Sequence, residues 1–124
     1  MTEKEEKTLY IGTCAAENSE KAHMPFVMAN AALSMDVKAT IVLQGAGVYL
    51  AKKGYVDTMP PGGGFPPLKK LLQDFLENGG KLKVCGPCIK ERHIEESDLV
   101  DGTEVTAAGA LNIEAMEADA VFTY

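Results

Sequence analysis

The sequence predicts an α/β fold in which a mostly parallel, five-stranded sheet is covered on both faces by helices. Three observations carry that expectation. Short apolar runs alternate with segments of helical period, the pattern of strand–crossover–strand units. One run, Ala39 to Leu43 (ATIVL), is continuous and rich in β-branched residues, as suits a parallel strand buried on both faces. Cys14, Gly45, Gly47 and Cys85 fall just after apolar runs, at the strand ends where open parallel sheets place their sites.

Taken in order, Thr8 to Thr13 (TLYIGT) reads as the first strand, with Cys14 at its end. Asn18-Ser19-Glu20 is a turn and helix start, and a helix is expected from about Lys21 to Ser34 on the apolar positions Ala22, Phe26, Val27, Ala31 and Leu33. After ATIVL, Gln44-Gly45-Ala46-Gly47 reads as a tight turn, and Val48 to Lys53 as a short helix closed by Gly54. Residues 55 to 67, with Pro60, Pro61, Gly62, Gly63, Gly64, Pro66 and Pro67, form a loop. Leu68, Leu71, Leu72, Phe75 and Leu76 repeat at helical spacing and give the clearest amphipathic helix, ended by Asn78-Gly79-Gly80. Lys81 to Val84 (KLKV) alternates, with Leu82 and Val84 on one face and the lysines on the other, so this strand is less buried than ATIVL. Val100 to Thr106 is strand-like near its ends, Ala107 to Glu117 helical, and Ala118 to Thr123 the last strand.

A chain of 124 residues with 46% hydrophobic and 24% charged residues suits one globular domain. Its formal net charge of −6 disfavours nucleic acid as a partner. No apolar run approaches the ~20 residues that span a bilayer. The acidic start Met1 to Lys7 lacks the features of a signal peptide, so the expected location is the cytoplasm. There, three cysteines point to redox, carrier or metal roles rather than structural disulfides. The methionines Met24, Met28, Met35, Met59 and Met116 read as packing residues.

The chemistry centres on Cys85-Gly86-Pro87-Cys88. Cys85 ends a strand, and Pro87 suits the first turn of a following helix. Lys81, Lys83, Lys90 and Arg92 stand around the pair against Glu91 alone. Such a basic island predicts a lowered thiol pKa. The alternative is a pair of buried small hydrophobes. CGPC is also the thioredoxin tetrapeptide, but no Trp precedes it, it follows a third strand, and no proline lies beyond Pro87 to face the site. Zinc on Cys85, Cys88, His93 and Cys14 is a weaker reading, because structural sites usually show two cysteine pairs. Neither a metal nor a cofactor is expected.

In combination, Phe26 to Leu33, Ile41 to Leu43, Gly47-Val48-Tyr49-Leu50-Ala51-Lys52-Lys53-Gly54, Gly80 to Cys88 and the ending Ala115 to Tyr124 resemble the DsrE/DsrF-like family over nearly the whole chain. The resemblance implies one three-layer α/β/α, flavodoxin-like domain over residues 1–124, with 1–6 as a flexible start, assembling as a homotrimer or homohexamer. It implies a sulfur carrier or sulfurtransferase that holds sulfane sulfur as a persulfide on Cys85, taking it from and passing it to partner proteins with reactive cysteines. Cys88 is an addition to the pattern of the sulfur-relay members; it can resolve a persulfide or make the site a redox switch. Further candidates around the sulfur are Cys14 (a second thiol of the site, or a core residue), His23 (holding an anionic sulfur species, or a solvated cap), Gly45 and Gly47 (an amide cradle, or a tight turn) and the cations Lys90 and Arg92. Two other functions stand beside the carrier: a regulatory module that binds a ligand or protein without catalysis, and a CxxC dithiol redox protein.

Overall fold

The computed structural model describes residues 5–124; residues 1–4 of the expected flexible start lie outside them. Among the described residues nine strands and α-helices alternate: β1 (Lys7–Gly12), α1 (Ser19–Ser34), β2 (Lys38–Leu43), α2 (Leu68–Glu77), β3 (Lys81–Cys85), α3 (Gly86–Glu91), β4 (Glu104–Thr106), α4 (Ala108–Glu117) and β5 (Ala120–Thr123). The five strands form one sheet in the order β4-β3-β2-β1-β5, and every neighbouring pair is parallel. The expected architecture is therefore present.

Register decides which residues face which layer. Tyr10 lies opposite Ile41, and Ile41 opposite Leu82. With Leu43 and Val84 they form one face, packed against Phe26 of α1, Phe75 of α2 and Ile89 of α3 in a single core. Phe26 and Phe75 meet edge to face with centroids 6.0 Å apart. Asn30 of α1 ties the two helices together, its Nδ2 donating to the carbonyls of Phe26 (2.9 Å) and Leu71 (3.0 Å). Each such fully buried apolar side chain contributes about 1.5–3 kcal/mol.

The opposite face carries Leu9, Val42, Lys83 and Glu104. Here α4 lies, bound through Lys83 Nζ to Glu114 Oε2 (3.1 Å). Chain geometry requires this split. From β1 to β4 the strands advance in one direction across the sheet, so right-handed crossovers put α1, α2 and α3 on one face. The β4-to-β5 connection runs back, so its right-handed crossover puts α4 on the other. The expected three layers result, unequally filled.

Most local signals act where the sequence placed them, with shifts of a residue or two, but the strand-like stretch over residues 100–106 pairs only over Glu104–Thr106, and a 3-10 turn forms over Tyr55–Thr58 in the expected loop. Asn18 caps α1, its Oδ1 accepting from Lys21 N–H at 3.2 Å. The buried face of α1 is Ala22, His23, Pro25, Phe26, Ala29 and Ala32 rather than the expected Val27, Ala31 and Leu33. The helix expected over Val48–Lys53 is instead a 3-10 run over Gly45–Ala51. Tertiary pairing ends it: Lys52 bridges Leu99, Lys53 N–H donates to Asp98 O (2.8 Å) and Val100 N–H to Ala51 O (2.8 Å). Gly54 then turns the chain in the left-handed region at φ 84°. Met35 and Met116 are 71% and 83% exposed, so neither is a packing residue; Met116 stands on α4, which buries no residue at all.

Candidate functional site

The site forms where the outgoing helices part. After β3 the chain enters α3 on the core face, and after β4 it enters α4 on the opposite face. This divergence falls at the carboxyl ends of β3 and β4, the kind of place where open α/β sheets bind ligands. Cys85 ends β3 there and pairs in register with Thr106 of β4. The pair Cys85 and Cys88 straddles the start of α3, with Pro87 in its first turn as the sequence predicts. Both thiols are free and half-buried.

The geometry around the two sulfurs is specific. Gly45 N–H, from the turn after β2, donates to Cys88 Sγ at 3.2 Å. Cys85 caps α3 and Cys88 stands three residues on, in its first turn, so the two thiols act on each other electrostatically. Burial pushes the Cys85 thiol above its ordinary pKa. The neighbouring Cys88 thiol adds to the rise, while the Cys88 backbone N–H and the Arg92 guanidinium pull the other way. The expected lowering by a basic island is thus overturned for Cys85. Lys81 starts the strand that Cys85 ends, about 13 Å away at strand rise, beyond a Debye length of about 8 Å. Lys83 is engaged by Glu114 and by Glu104 (3.8 Å). Of the four cations, Arg92 acts on the site.

Arg92 stands one helical turn past Cys88 and donates Nη1–H to the Cys88 carbonyl at 3.1 Å. Its guanidinium lies 5.9 Å from the centroid of the Tyr49 ring. Tyr49 stacks on Tyr55 at 5.6 Å, and the Tyr55 hydroxyl accepts from Ala16 N–H at 3.2 Å. These tyrosines form an aromatic wall from the β1 loop to α3. Sequence reasoning missed both; the signal available was Tyr49's position inside the Gly47–Gly54 segment, two residues past the turn.

The remaining candidates divide. Cys14 follows β1 on the same edge, half-buried against the core, with Thr13 Oγ1 at 4.0 Å from its sulfur. Gly45 contributes its amide. Gly47 donates its own N–H to Gln44 O (2.9 Å), and a Cβ there would stand 2.6 Å from Gly12 O. Lys90 is exposed on α3 beside an open groove that also includes Gly86, His93 and Val105. His23 neither precedes α1 nor caps it in solvent. It is 1% exposed within the helix, and its Nδ1 donates to Ser19 O at 2.7 Å. Its ring stacks on Phe65 at 6.4 Å, and its Nε2 has no hydrogen-bond partner among the described residues. Among those residues no three His, Cys, Asp or Glu side chains group to hold a metal ion, and no helix is long and apolar enough to cross a membrane.

The family model of the DsrE/DsrF-like family matches residues 6–124. The chain belongs to the DsrE/DsrF-like family. Members of this family often serve sulfur relay and work with sulfur-transfer partners. The chain is similar to uncharacterized protein MJ0760 of Methanocaldococcus jannaschii, 40% identical over 98 residues; the match covers 79% of this chain but only 35% of that relative. It is also similar to uncharacterized protein MJ0989 of the same organism, 33% identical over 118 residues, covering 95% of this chain and 99% of that one. Among solved structures, the ychN protein of E. coli shares the fold with a TM-score of 0.80 at 22% identity, covering 96% of this chain and 99% of the other. In this DsrE/DsrF-like chain the two thiols therefore sit on a sheet edge framed by Gly45, Arg92 and Tyr49.

Proposed function

We propose that this protein is a cytoplasmic sulfur carrier that holds sulfane sulfur as a persulfide on Cys85 and hands it to a partner thiol. The observation that carries the reading is the placement of Cys85. It is a free thiol at the end of β3, at the sheet edge where α3 and α4 part, with a second thiol three residues on. In the transfer, the Cys85 thiolate attacks the outer sulfur of a donor persulfide, and the donor thiolate leaves. The Cys85 persulfide then gives that sulfur to the acceptor's thiolate and is itself regenerated as a thiolate. The raised pKa of Cys85 favours a protonated, quiet resting thiol. Arg92 and the Cys88 N–H favour negative charge on sulfur when it develops. Gly45 donates to the Cys88 sulfur and Arg92 acts on Cys85; Cys14 follows β1 at the same ends of the strands, Gly47 supports the turn, His23 is buried in α1 and Lys90 is exposed on α3. Donor and acceptor are proteins with reactive cysteines, and neither nucleic acid nor membrane is a partner.

The whole chain acts as one domain and assembles as a homotrimer or homohexamer. The support is α4, which carries apolar side chains yet no buried residue, with Ile113 60% and Met116 83% exposed. Val121, 41% exposed on the same sheet face, extends the patch. A second copy of this acidic chain is the occupant that covers it.

The test is to load the protein with a sulfane-sulfur donor and weigh it. One added sulfur that maps to Cys85 is expected, and it moves to a thiol-bearing acceptor on mixing. A chain that gains no sulfur at Cys85, even when Cys88 is replaced, refutes the carrier.

A further inference from the structure

A carrier needs one thiol, and this site holds two, one ending β3 and one in the first turn of α3. Cys88 is positioned with more care than a bystander requires. Its Sγ accepts the Gly45 N–H at 3.2 Å, and its carbonyl accepts from Arg92 at 3.1 Å. Arg92 is held in turn over the Tyr49 ring. An N–H that donates to sulfur stabilises negative charge there. Residues three apart in a helical turn bring their Cβ atoms within about 5–6 Å, and Cys85 as N-cap and Cys88 in the first turn of α3 stand at that spacing. A disulfide brings Cβ atoms to about 3.5–4.5 Å, so closing one takes an adjustment of the first turn of α3.

We infer that Cys88 is a resolving thiol, which attacks the Sγ of a Cys85 persulfide, closes a Cys85–Cys88 disulfide and expels the outer sulfur as hydrosulfide. This rests on the carrier reading of Cys85 and deepens it by naming a product. The step balances. Cys88 loses its proton to water and its thiolate pair forms the new S–S bond. The bond between Cys85 Sγ and the outer sulfur breaks, and its pair leaves with that sulfur, which keeps the persulfide proton. The outer sulfur is reduced to sulfide while the two cysteine sulfurs are oxidised to a disulfide. Two equivalents of a small-molecule thiol, or one protein dithiol, reduce the disulfide and reset the site. With no acceptor bound, the protein is then a persulfide reductase that releases sulfide; with an acceptor bound, the partner's thiol competes with Cys88 for the same persulfide.

The experiment uses the full chain and two variants, Cys88→Ser and Cys85→Ser, each shown to be folded by circular dichroism. Serine at 88 keeps an acceptor for the Gly45 N–H; Cys88→Ala is the second variant should that one unfold. Each protein receives one equivalent of a small organic persulfide under anoxic conditions without reductant. Sulfide is followed with an electrode and the intact chain by mass. The wild type is expected to release close to one sulfide per chain and to end two hydrogens lighter with no added sulfur. Cys88→Ser is expected to keep one added sulfur on Cys85 and to release sulfide at least about tenfold more slowly. A wild type that holds added sulfur on Cys85 and releases sulfide no faster than Cys88→Ser overturns the resolving role and leaves the carrier standing. A Cys88→Ser protein that gains no sulfur overturns the carrier itself. Sulfur gained on Cys88 in Cys85→Ser, at the wild-type rate, overturns the assignment of which thiol is loaded.

Discussion

Gly47→Ala tests how the fold holds the site. A Cβ at this position would stand 2.6 Å from Gly12 O, 3.1 Å from Gly12 C and 3.3 Å from Thr13 C. All three are backbone atoms at the end of β1, and the Gly12 carbonyl is already fixed by Gln44 N–H at 2.9 Å. No side chain can rotate away, so the 45–51 segment itself must retreat from β1. Overpacking of a tight contact costs about 1–3 kcal/mol; rigid neighbours place this case near the upper end. At this chain length each kcal/mol lowers Tm by about 4 °C, giving a fall of about 8–12 °C on the same scale. Gly45→Ala is the control. Its Cβ would meet nothing nearer than 3.9 Å, but φ is +54°, so the cost is left-handed backbone strain of about 1 kcal/mol. Urea unfolding with an unchanged m-value reads both as stability differences. The retreat in Gly47→Ala also withdraws the Gly45 amide from Cys88 Sγ, so alkylation of Cys88 should change in that variant as well. A loss below about 0.5 kcal/mol, or one smaller than that of Gly45→Ala, refutes the close-approach argument.

Three further outcomes follow from the same structure. Alkylation of Cys85, resolved by residue-level mass analysis, should have its pH midpoint above that of a free cysteine; Cys88→Ala should lower the midpoint and Arg92→Gln raise it, and a wild-type midpoint at or below free cysteine contradicts the burial argument. The sign for stability is that of a proton held more tightly when folded: the contribution is fully present below the unfolded pKa and is lost as pH rises through the folded one. Ile113→Asp with Met116→Asp should turn the proposed homo-oligomer into monomers in sedimentation, with the fold kept because neither residue is buried in the chain; an unchanged sedimentation coefficient removes α4 from the proposed interface. Phe75→Ala should cost about 3–5 kcal/mol by thermal or urea unfolding, since the ring is fully buried between α1, α2 and β3; a loss under about 1 kcal/mol would mean that the core collapses around it.

What the sequence reveals here is what alternation and period encode. KLKV separates Leu82 and Val84 from Lys83 as its two-residue period requires, and the apolar spacing of Leu68 to Phe75 becomes the buried face of α2. What it hides depends on partners distant in the chain. The Gly45–Ala51 segment has helical composition, yet Lys52 leaves it to meet Leu99, so only 3-10 turns form. The α1 face is shifted because Pro25 and His23, polar or helix-breaking by type, are buried while Ala31 faces outward. Pro25 lies inside α1, where its missing N–H forgoes one helical hydrogen bond, and the His23 ring packs on Phe65 from the loop. Composition cannot show that α4 lacks a covering layer, because that follows from which way the last crossover turns.

The position of the reactive thiol follows from topology before it follows from the tetrapeptide. Right-handed crossovers send α3 and α4 to opposite faces, and they part at the ends of β3 and β4. Whatever residue occupies position 85 stands at that edge. The tetrapeptide adds a second sulfur three residues on and a proline that starts the helix. The neighbouring strand adds the donor, since Gly45 follows β2 directly and β2 lies beside β3. Counting lysines near Cys85 in the sequence fails for the same reason: a strand carries Lys81 away at about 3.3 Å per residue, and Lys83 is drawn to α4 by Glu114. Charge reaches the sulfur from Arg92 because a helical turn returns it to Cys88, where a strand would not have done so.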